Sequence, residues 1–101
     1  RINGGGGRDT LVLTETSAAL NSASNSQLGS VEVISAQSAG AGVTVSLVNQ
    51  TERFTITGSG FADVITGGQG NDVFTGLTEG DVFDGAGGRD TLEVNGSLAV
   101  L

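Results

Sequence analysis

A nine-residue unit repeats four times without a gap over residues 58–93. The four units read GSGFADVIT, GGQGNDVFT, GLTEGDVFD and GAGGRDTLE. Each begins with Gly, carries Asp at its sixth place and has a large apolar residue at its eighth. Repetition at a short fixed period is typical of solenoids, in which one repeat cannot bury its apolar side chain alone. The repeat therefore predicts that neighbouring units stack on one another.

A fifth copy of the unit, GGGGRDTLV at residues 4–12, lies near the beginning of the chain. Its letters GGRDTL, at residues 6–11, recur unchanged at residues 87–92, and the separation of Asp9 from Asp90 is a whole multiple of nine. The recurrence predicts one long module followed by the opening of the next. The alternative is that this multiple of nine arises by chance.

Strand-like sequence continues where the nonamer is lost. Three β-branched segments alternate in polarity and are separated by turn-forming residues: VEVIS (31–35), VTVSLV (43–48) and RFTIT (53–57). Their matching apolar positions, continued into the first nonamer, are Val33, Val45, Ile56 and Ile65. The spacing shortens along the chain, as in a solenoid that tightens toward its regular part.

We predict one continuous solenoid, excised from a larger protein. Its parts are residues 1–57 with one nonamer and degenerate longer coils, residues 58–93 with the tandem nonamers, and residues 94–101 as the start of a following coil. Residues 14–30, rich in Ser and Asn, are either a loop or a short helix around residues 17–20, and the pattern does not choose between them.

The composition excludes many kinds of chemistry. The 101 residues include no Cys, His, Lys or Tyr, which excludes disulfides, zinc sites, imidazole bases and Schiff-base lysines. With 11 acidic residues against 4 basic ones, the net charge of −7 argues against nucleic acid as a partner and favours cations. No apolar run approaches the roughly 20 residues of a membrane span, so we expect no membrane insertion. We also expect no catalytic role.

The pattern G-G-x-G-x-D-x-U-x, where U is a large apolar residue, resembles the RTX (repeats-in-toxin, haemolysin-type calcium-binding) family. The strong resemblance covers residues 58–93, and residues 4–12 extend it. It implies an all-β fold, a right-handed parallel β-roll or β-solenoid with two nonamers per turn and calcium-binding Gly/Asp turns. That winding would place Ile65 over Phe83 and Phe74 over Leu92.

The same winding would stack aspartates that are two nonamers apart, Asp63 on Asp81 and Asp72 on Asp90. Like charges at that spacing repel each other. A calcium ion, which takes six or more oxygens from carboxylates and carbonyls, would remove the repulsion and tie two turns together. The metal-free alternative is a turn in which Asp side chains accept hydrogen bonds from backbone N–H groups.

The resemblance also implies which residues bind Ca²⁺. In the family, the earlier of two loops gives its second and fourth carbonyls and its Asp, and the later loop gives its first and third carbonyls and its Asp. The best site carried onto this chain comprises Gly68, Gly70, Asp72, Gly85, Gly87 and Asp90. The weaker site comprises Ser59, Phe61, Asp63, Gly76, Thr78 and Asp81.

Some loops depart from the family pattern. Glycine lets such a turn adopt positive φ, but Phe61 and Glu79 stand at fourth positions, where a bulky residue rarely accepts it. We expect the weaker site to be distorted or without an ion, unless the carboxylate of Glu79 compensates. A third, speculative site would use Gly5, Gly7 and Asp9. Two nonamers after Asp9 stands the uncharged Gln27, so we expect that site to be incomplete.

The resemblance implies a calcium-binding structural module of a secreted or cell-surface bacterial protein, of S-layer or adhesin type. Such proteins leave the cell through type I systems and fold on extracellular Ca²⁺. The alternative is the carboxy-terminal secretion and folding domain of a type I-secreted enzyme, such as a protease or lipase. Open solenoid ends would allow self-association end to end or in a lattice.

Overall fold

The computed structural model describes residues 1–93, and the expected start of a following coil at residues 94–101 lies outside them. The described residues form ten short strands and one helix. They are β1 (Ile2–Asn3), β2 (Thr10–Val12), α1 (Ala18–Ser22), β3 (Leu28–Gly29), β4 (Val33–Ser35), β5 (Thr44–Ser46), β6 (Thr55–Thr57), β7 (Val64–Thr66), β8 (Val73–Thr75), β9 (Val82–Asp84) and β10 (Thr91–Leu92).

Strands that alternate along the chain fall into different parallel sheets. One sheet has the order β10-β8-β6-β4-β2, a second has the order β5-β7-β9, and β1 pairs with β3. A chain that visits two sheets in turn, always in the same direction, winds as a parallel β-solenoid, here of about four turns. The all-β, parallel β-roll prediction is confirmed.

The turns of the solenoid become shorter along the chain. Thr10 pairs with Val33 in the first turn, whereas Val73 pairs with Thr91, two nonamers on, in the last described turn. The first turn is therefore longer than two nonamers. In the tandem nonamers Ile65 lies over Phe83, and Phe74 over Leu92, as predicted. The turns thus become regular where the nonamer becomes regular.

One predicted inward position is wrong by a residue. Ile34, and not Val33, lies over Ile56, and Ile34 has no exposed surface. Only the middle side chain of a three-residue strand points inward, and the strand here is Val33–Ser35. Val45 does lie over Ile65, so these two matching positions stack.

The core runs along the inside of the coils. The buried middle residues of the strands are Ile34, Val45, Ile56, Ile65 and Phe74. Phe83 is half-buried and stacks on Phe74, with 6.1 Å between the ring centres. Leu92, in the last described strand, is 39% exposed. The apolar interior is thus least covered at the carboxy-terminal end of the described residues.

The segment 14–30 contains a short helix, which is one of the two predicted alternatives. Ser17 caps it by accepting a hydrogen bond from Leu20 N–H at 3.1 Å. The Asn21 side chain donates to the Thr44 carbonyl at 2.9 Å and accepts from Ser46 N–H at 2.8 Å. It thereby occupies hydrogen-bonding groups on the free edge of β5. Nothing helical within residues 1–93 has the length and apolar character that crossing a membrane requires.

Candidate metal centre

The strand register brings together the two loops of each predicted calcium site. The pairing of Val73 with Thr91 sets loop 67–72 beside loop 85–90. The pairing of Val64 with Val82 does the same for loops 58–63 and 76–81. Each loop directly precedes a short strand, so the aspartate at the end of the loop is held by the first ladder bonds of that strand.

At the best site, hydrogen bonds link the aspartates of successive turns. Asp72 N–H donates to Asp90 Oδ1 at 2.8 Å. Asp72 Oδ1 accepts from Phe54 N–H at 3.0 Å, and its Oδ2 accepts from Gly68 N–H at 2.9 Å. An ionised carboxylate has about four acceptor positions, so both of its oxygens keep capacity for a cation.

The weaker site repeats this arrangement. Asp63 N–H donates to Asp81 Oδ1 at 2.8 Å, while Asp63 Oδ1 accepts from Val43 N–H at 2.9 Å and Oδ2 from Ser59 N–H at 2.8 Å. Asp81 Oδ2 accepts from Thr78 N–H at 2.8 Å. The metal-free alternative also predicts such N–H bonds. Without a metal, however, the two stacked carboxylates of each site have no counter-charge.

The electrostatics of Asp72 show the cost of burying its carboxylate. Burial raises the pKa of the Asp72 carboxyl, the bonds from Phe54 and Gly68 N–H act against it, and the charge of Asp90 raises it further. Only 1% of Asp72 is exposed. Burial disfavours the charged form of this carboxyl group, and a bound cation would stabilise that form.

Carboxylate and carbonyl oxygens of neighbouring loops face the same small spaces. A Cβ atom on Gly67 would lie 2.8 Å from both Asp72 Oδ2 and the Gly85 carbonyl oxygen. At Gly58 the corresponding distances are 2.7 Å to Asp63 Oδ2 and 3.2 Å to the Gly76 carbonyl oxygen. These mixed oxygens from two turns are the kind that calcium takes.

Acidic side chains alone do not make these sites. Within residues 1–93 no three of them gather as a metal-binding group. Two carboxylates per site, one from each turn, must therefore be completed by backbone carbonyls. The predicted residues fit calcium in this respect, and Asp72 with Asp90 and the carbonyls of loops 67–72 and 85–90 would hold it.

The glycines of loop 67–72 have a different role from the one expected. Among the described residues, none in this loop has positive φ. Instead, a Cβ on Gly68 would come 2.7 Å from the Gln50 carbonyl oxygen, and one on Gly70 would come 2.5 Å from the Glu52 carbonyl oxygen. Glycine is required there because the preceding turn approaches closely.

In loop 76–81 positive φ occurs at glycines and not at the bulky residue in the fourth position. Positive φ occurs at Gly76 (68°) and Gly80 (91°), so Glu79 keeps an ordinary φ. Phe61, at the fourth position of loop 58–63, also keeps an ordinary φ and is 50% exposed. Its carbonyl oxygen accepts a 3.3 Å hydrogen bond from Thr78 Oγ1. Glu79 is exposed.

The amino-terminal loop has a partner that sequence spacing missed. Because the first turn is longer than two nonamers, Glu32 and not Gln27 lies beside Asp9, and the expectation of an uncharged counterpart is wrong. Asp9 N–H donates to Glu32 Oε2 at 2.8 Å, as Asp72 N–H does to Asp90. The signal that was available is an acid directly before the strand-like segment at residues 33–35.

The structural pattern agrees with a comparison against protein families. The RTX calcium-binding nonapeptide repeat matches in four copies, over residues 1–13 and 57–92, just under half of the chain. No curated protein and no solved structure matches the chain. The matched residues include both loop pairs and the amino-terminal loop. The chain is therefore a parallel β-solenoid that carries RTX calcium-binding nonapeptide repeats in these two stretches.

Proposed function

We propose that this calcium-binding repeat module is a structural part of a secreted or cell-surface bacterial protein of S-layer or adhesin type. Calcium bound between turns would stabilise the solenoid once the chain reaches the extracellular medium. The observation that carries the proposal is the stacking of Asp63 on Asp81 and of Asp72 on Asp90, each pair beside a carbonyl of the later turn. Bound calcium would supply the positive charge that these stacked carboxylates lack.

Export through a type I system is part of the proposal. The metal-free chain carries a net charge of −7, which opposes compaction. Metal binding is coupled to folding where the ligands come from separate parts of a chain. In a chain with these properties the tandem nonamers would remain open in a calcium-poor cytosol and fold outside the cell. The chain would have no catalytic role of its own.

A repetitive surface protein is favoured over the accessory domain of an enzyme because the module begins again at its end. Loops 4–9 and 85–90 share their backbone conformation: φ is 79° at Gly5 and 62° at Ala86, and 84° at Gly7 and 80° at Gly88. The matching loops at the two ends of the module thus have positive φ at the same two positions. Such periodicity suits a long solenoid, in which neighbouring modules stack end to end.

Calcium titration of the 101-residue chain, followed by far-UV circular dichroism, tests the proposal. We expect β-structure to increase with Ca²⁺ and to decrease again on chelation. Mg²⁺ at the same concentration is the control and should be much less effective, because it demands shorter octahedral bonds and keeps its waters. A spectrum and a thermal midpoint that do not respond to Ca²⁺ would refute the proposed function.

A further inference from the structure

The five-stranded parallel sheet has a free edge at each end of the solenoid. Within residues 1–93, β2 pairs only with β4, and β10 pairs only with β8. We call the edge formed by β2 and loop 4–9 the amino-terminal face, and the edge formed by β10 and loop 85–90 the carboxy-terminal face. An unpaired strand edge is a template for another strand.

The backbone groups on these two edges can be assigned from the bonds on the paired side. The Asp9 carbonyl accepts from β4 and the Leu13 N–H donates to it, so Thr10 and Val12 direct their backbone groups to the free edge.

In β10 the N–H groups of Thr91 and Glu93 donate to β8, so Leu92 directs its backbone groups to the free edge. Each face therefore offers both donors and acceptors.

The apolar interior is also open at both faces. Leu92 is 39% exposed and Leu11, the middle residue of β2, is half-buried, whereas Ile56 inside the same sheet is 1% exposed. A cavity of about 180 Å³ at the carboxy-terminal face is lined by Phe74, Phe83 and Leu92. Both end leucines lack a neighbour on one side, and a further turn would bury them.

Hydrogen bonds between turns show what the amino-terminal face lacks. Asp72 N–H donates to Asp90 Oδ1, and Asp63 N–H donates to Asp81 Oδ1, each at 2.8 Å. Within residues 1–93 no earlier turn supplies such a donor to Asp9, and its Oδ2 exposes less than 1 Å² and accepts no hydrogen bond. A turn placed before β2 would supply that donor.

The amino-terminal loop has the form of a loop that stacks on a nonamer. Gly5 N–H donates to Asn3 Oδ1 at 3.0 Å, as Ala86 N–H donates to Asp84 Oδ1 at 2.9 Å. Loop 85–90 has this conformation while it lies beside nonamer loop 67–72. Loop 4–9 has it with no earlier nonamer among residues 1–93 to lie beside.

Charge and strand direction both favour contact between unlike faces. Residues 76–93 carry five acidic side chains and one Arg, whereas residues 1–22 carry two of each sign. Two carboxy-terminal faces would repel each other, while the exposed Arg1 and Arg8 would meet an acidic surface. Only unlike faces also continue a parallel sheet.

We propose that a second copy of this chain binds head to tail, with its β2 added to β10 as the next parallel strand. Asp90 N–H would donate to the Asp9 carboxylate of the second copy, and Thr10 N–H of the second copy would donate to the Asp90 carbonyl. Leu11 of the second copy would stack on Leu92 and close the interior. Because each copy keeps one face free, the contact repeats and builds an open filament.

This inference rests on the proposed function, since it names the partner of a module that calcium has folded. The first test is sedimentation equilibrium of the 101-residue chain in saturating Ca²⁺, from about 1 µM to about 1 mM. The average mass should rise roughly twofold or more above the 10.0 kDa of one chain.

Two proline variants, each blocked at one face, test the head-to-tail arrangement. Val12→Pro and Leu92→Pro each remove an N–H that faces a free edge and bonds to no strand of its own chain. Each variant alone should remain a monomer, whereas an equimolar mixture should double in mass and grow no further. Val12→Ala keeps the N–H at a position that is 56% exposed, so this matched control should associate as the parent does.

A further measurement on the unmodified chain covers variants that fail to fold. In saturating Ca²⁺, the Thr10 and Val12 amides should exchange roughly tenfold more slowly at high than at low protein concentration. A chain that folds with Ca²⁺ but stays at 10.0 kDa, or a single folded variant that doubles by itself, would overturn the inference and leave the proposed function intact. A chain that does not respond to Ca²⁺ would refute both.

Discussion

The degenerate coils and the tandem nonamers are stabilised in different ways. Of the 15 buried apolar residues, 12 lie within residues 1–57, and only Ile65, Phe74 and Leu77 lie in the tandem block as far as residue 93. The degenerate coils also use side chains such as Asn21 to bond neighbouring turns. The tandem block has shorter turns, little apolar core and a stacked pair of aspartates on each side. By this account the regular nonamers would depend on a bound ion, whereas the irregular coils are stabilised by an apolar core.

The largest mutational effect should come from the core of the degenerate coils. Ile34→Ala removes a side chain with 0% exposure and should cost about 2–5 kcal/mol of unfolding free energy. Because no nonamer loop contributes this burial, the loss should be similar in saturating calcium and in chelator. Urea denaturation under both conditions measures it. Val12→Ala, at a position 56% exposed, is the control; an equal loss there would contradict the comparison.

A smaller effect, dependent on calcium, should follow from changes in the tandem block. Asp72→Asn combined with Asp90→Asn removes both carboxylates of the best site while keeping groups of similar size. The calcium concentration at the folding midpoint should rise roughly tenfold or more, because two charged ligands are lost. Dichroism titrations measure this midpoint. Glu93→Gln, an exposed acid outside the loops, is the control, and an unchanged midpoint in the double variant would refute the site assignment.

The smallest effect concerns pH in the absence of calcium. Burial raises the pKa of Asp72 in the folded state above its ordinary value of 3.8. The folded chain therefore binds more protons than the unfolded chain between these two pKa values, so its stability should fall as pH rises through that window. Acid would thus partly replace calcium in the tandem block.

Urea denaturation of the parent and of Asp72→Asn in chelator, at pH values from about 4 to about 7, measures that dependence. The quantity compared is the difference between the two urea midpoints at each pH. The variant has no carboxyl at this position, and the other acidic groups are common to both proteins. A parent whose midpoint rises relative to the variant as the pH rises would contradict the role assigned to burial.

The same comparison explains which features could be predicted from the sequence. The stacking of Ile65 on Phe83 was predictable because the family resemblance implied two nonamers per turn and an unbroken nine-residue period fixes every later position. Glu32 was not, because the first turn is longer than two nonamers and no rule of spacing leads from Asp9 to it. The pattern identified the glycines of loop 67–72 but not why glycine is needed there. Glycine is needed because the Gln50 and Glu52 carbonyls of the preceding turn approach closely, and the sequence does not show that contact.

The shortness of the strands and of the helix also limits what the sequence can predict. Val33 and Ile34 are both β-branched, and a strand of three residues offers no alternation long enough to show which one points inward. The helix at Ala18–Ser22 is stabilised by its Ser17 cap and by contacts with β5, and contacts between distant segments are invisible to local pattern.

Hydrogen exchange of the 101-residue chain, resolved along the sequence with and without calcium, tests the central claim most directly. Amides of residues 64–92 that donate across the turns, such as Val82 and Thr91, should be protected in calcium and should exchange much faster in chelator. Amides in the core of the degenerate coils, such as Leu13 and Thr55, should lose far less protection. Equal protection of Val82 and Thr91 in both conditions would contradict the claim that calcium stabilises the tandem block.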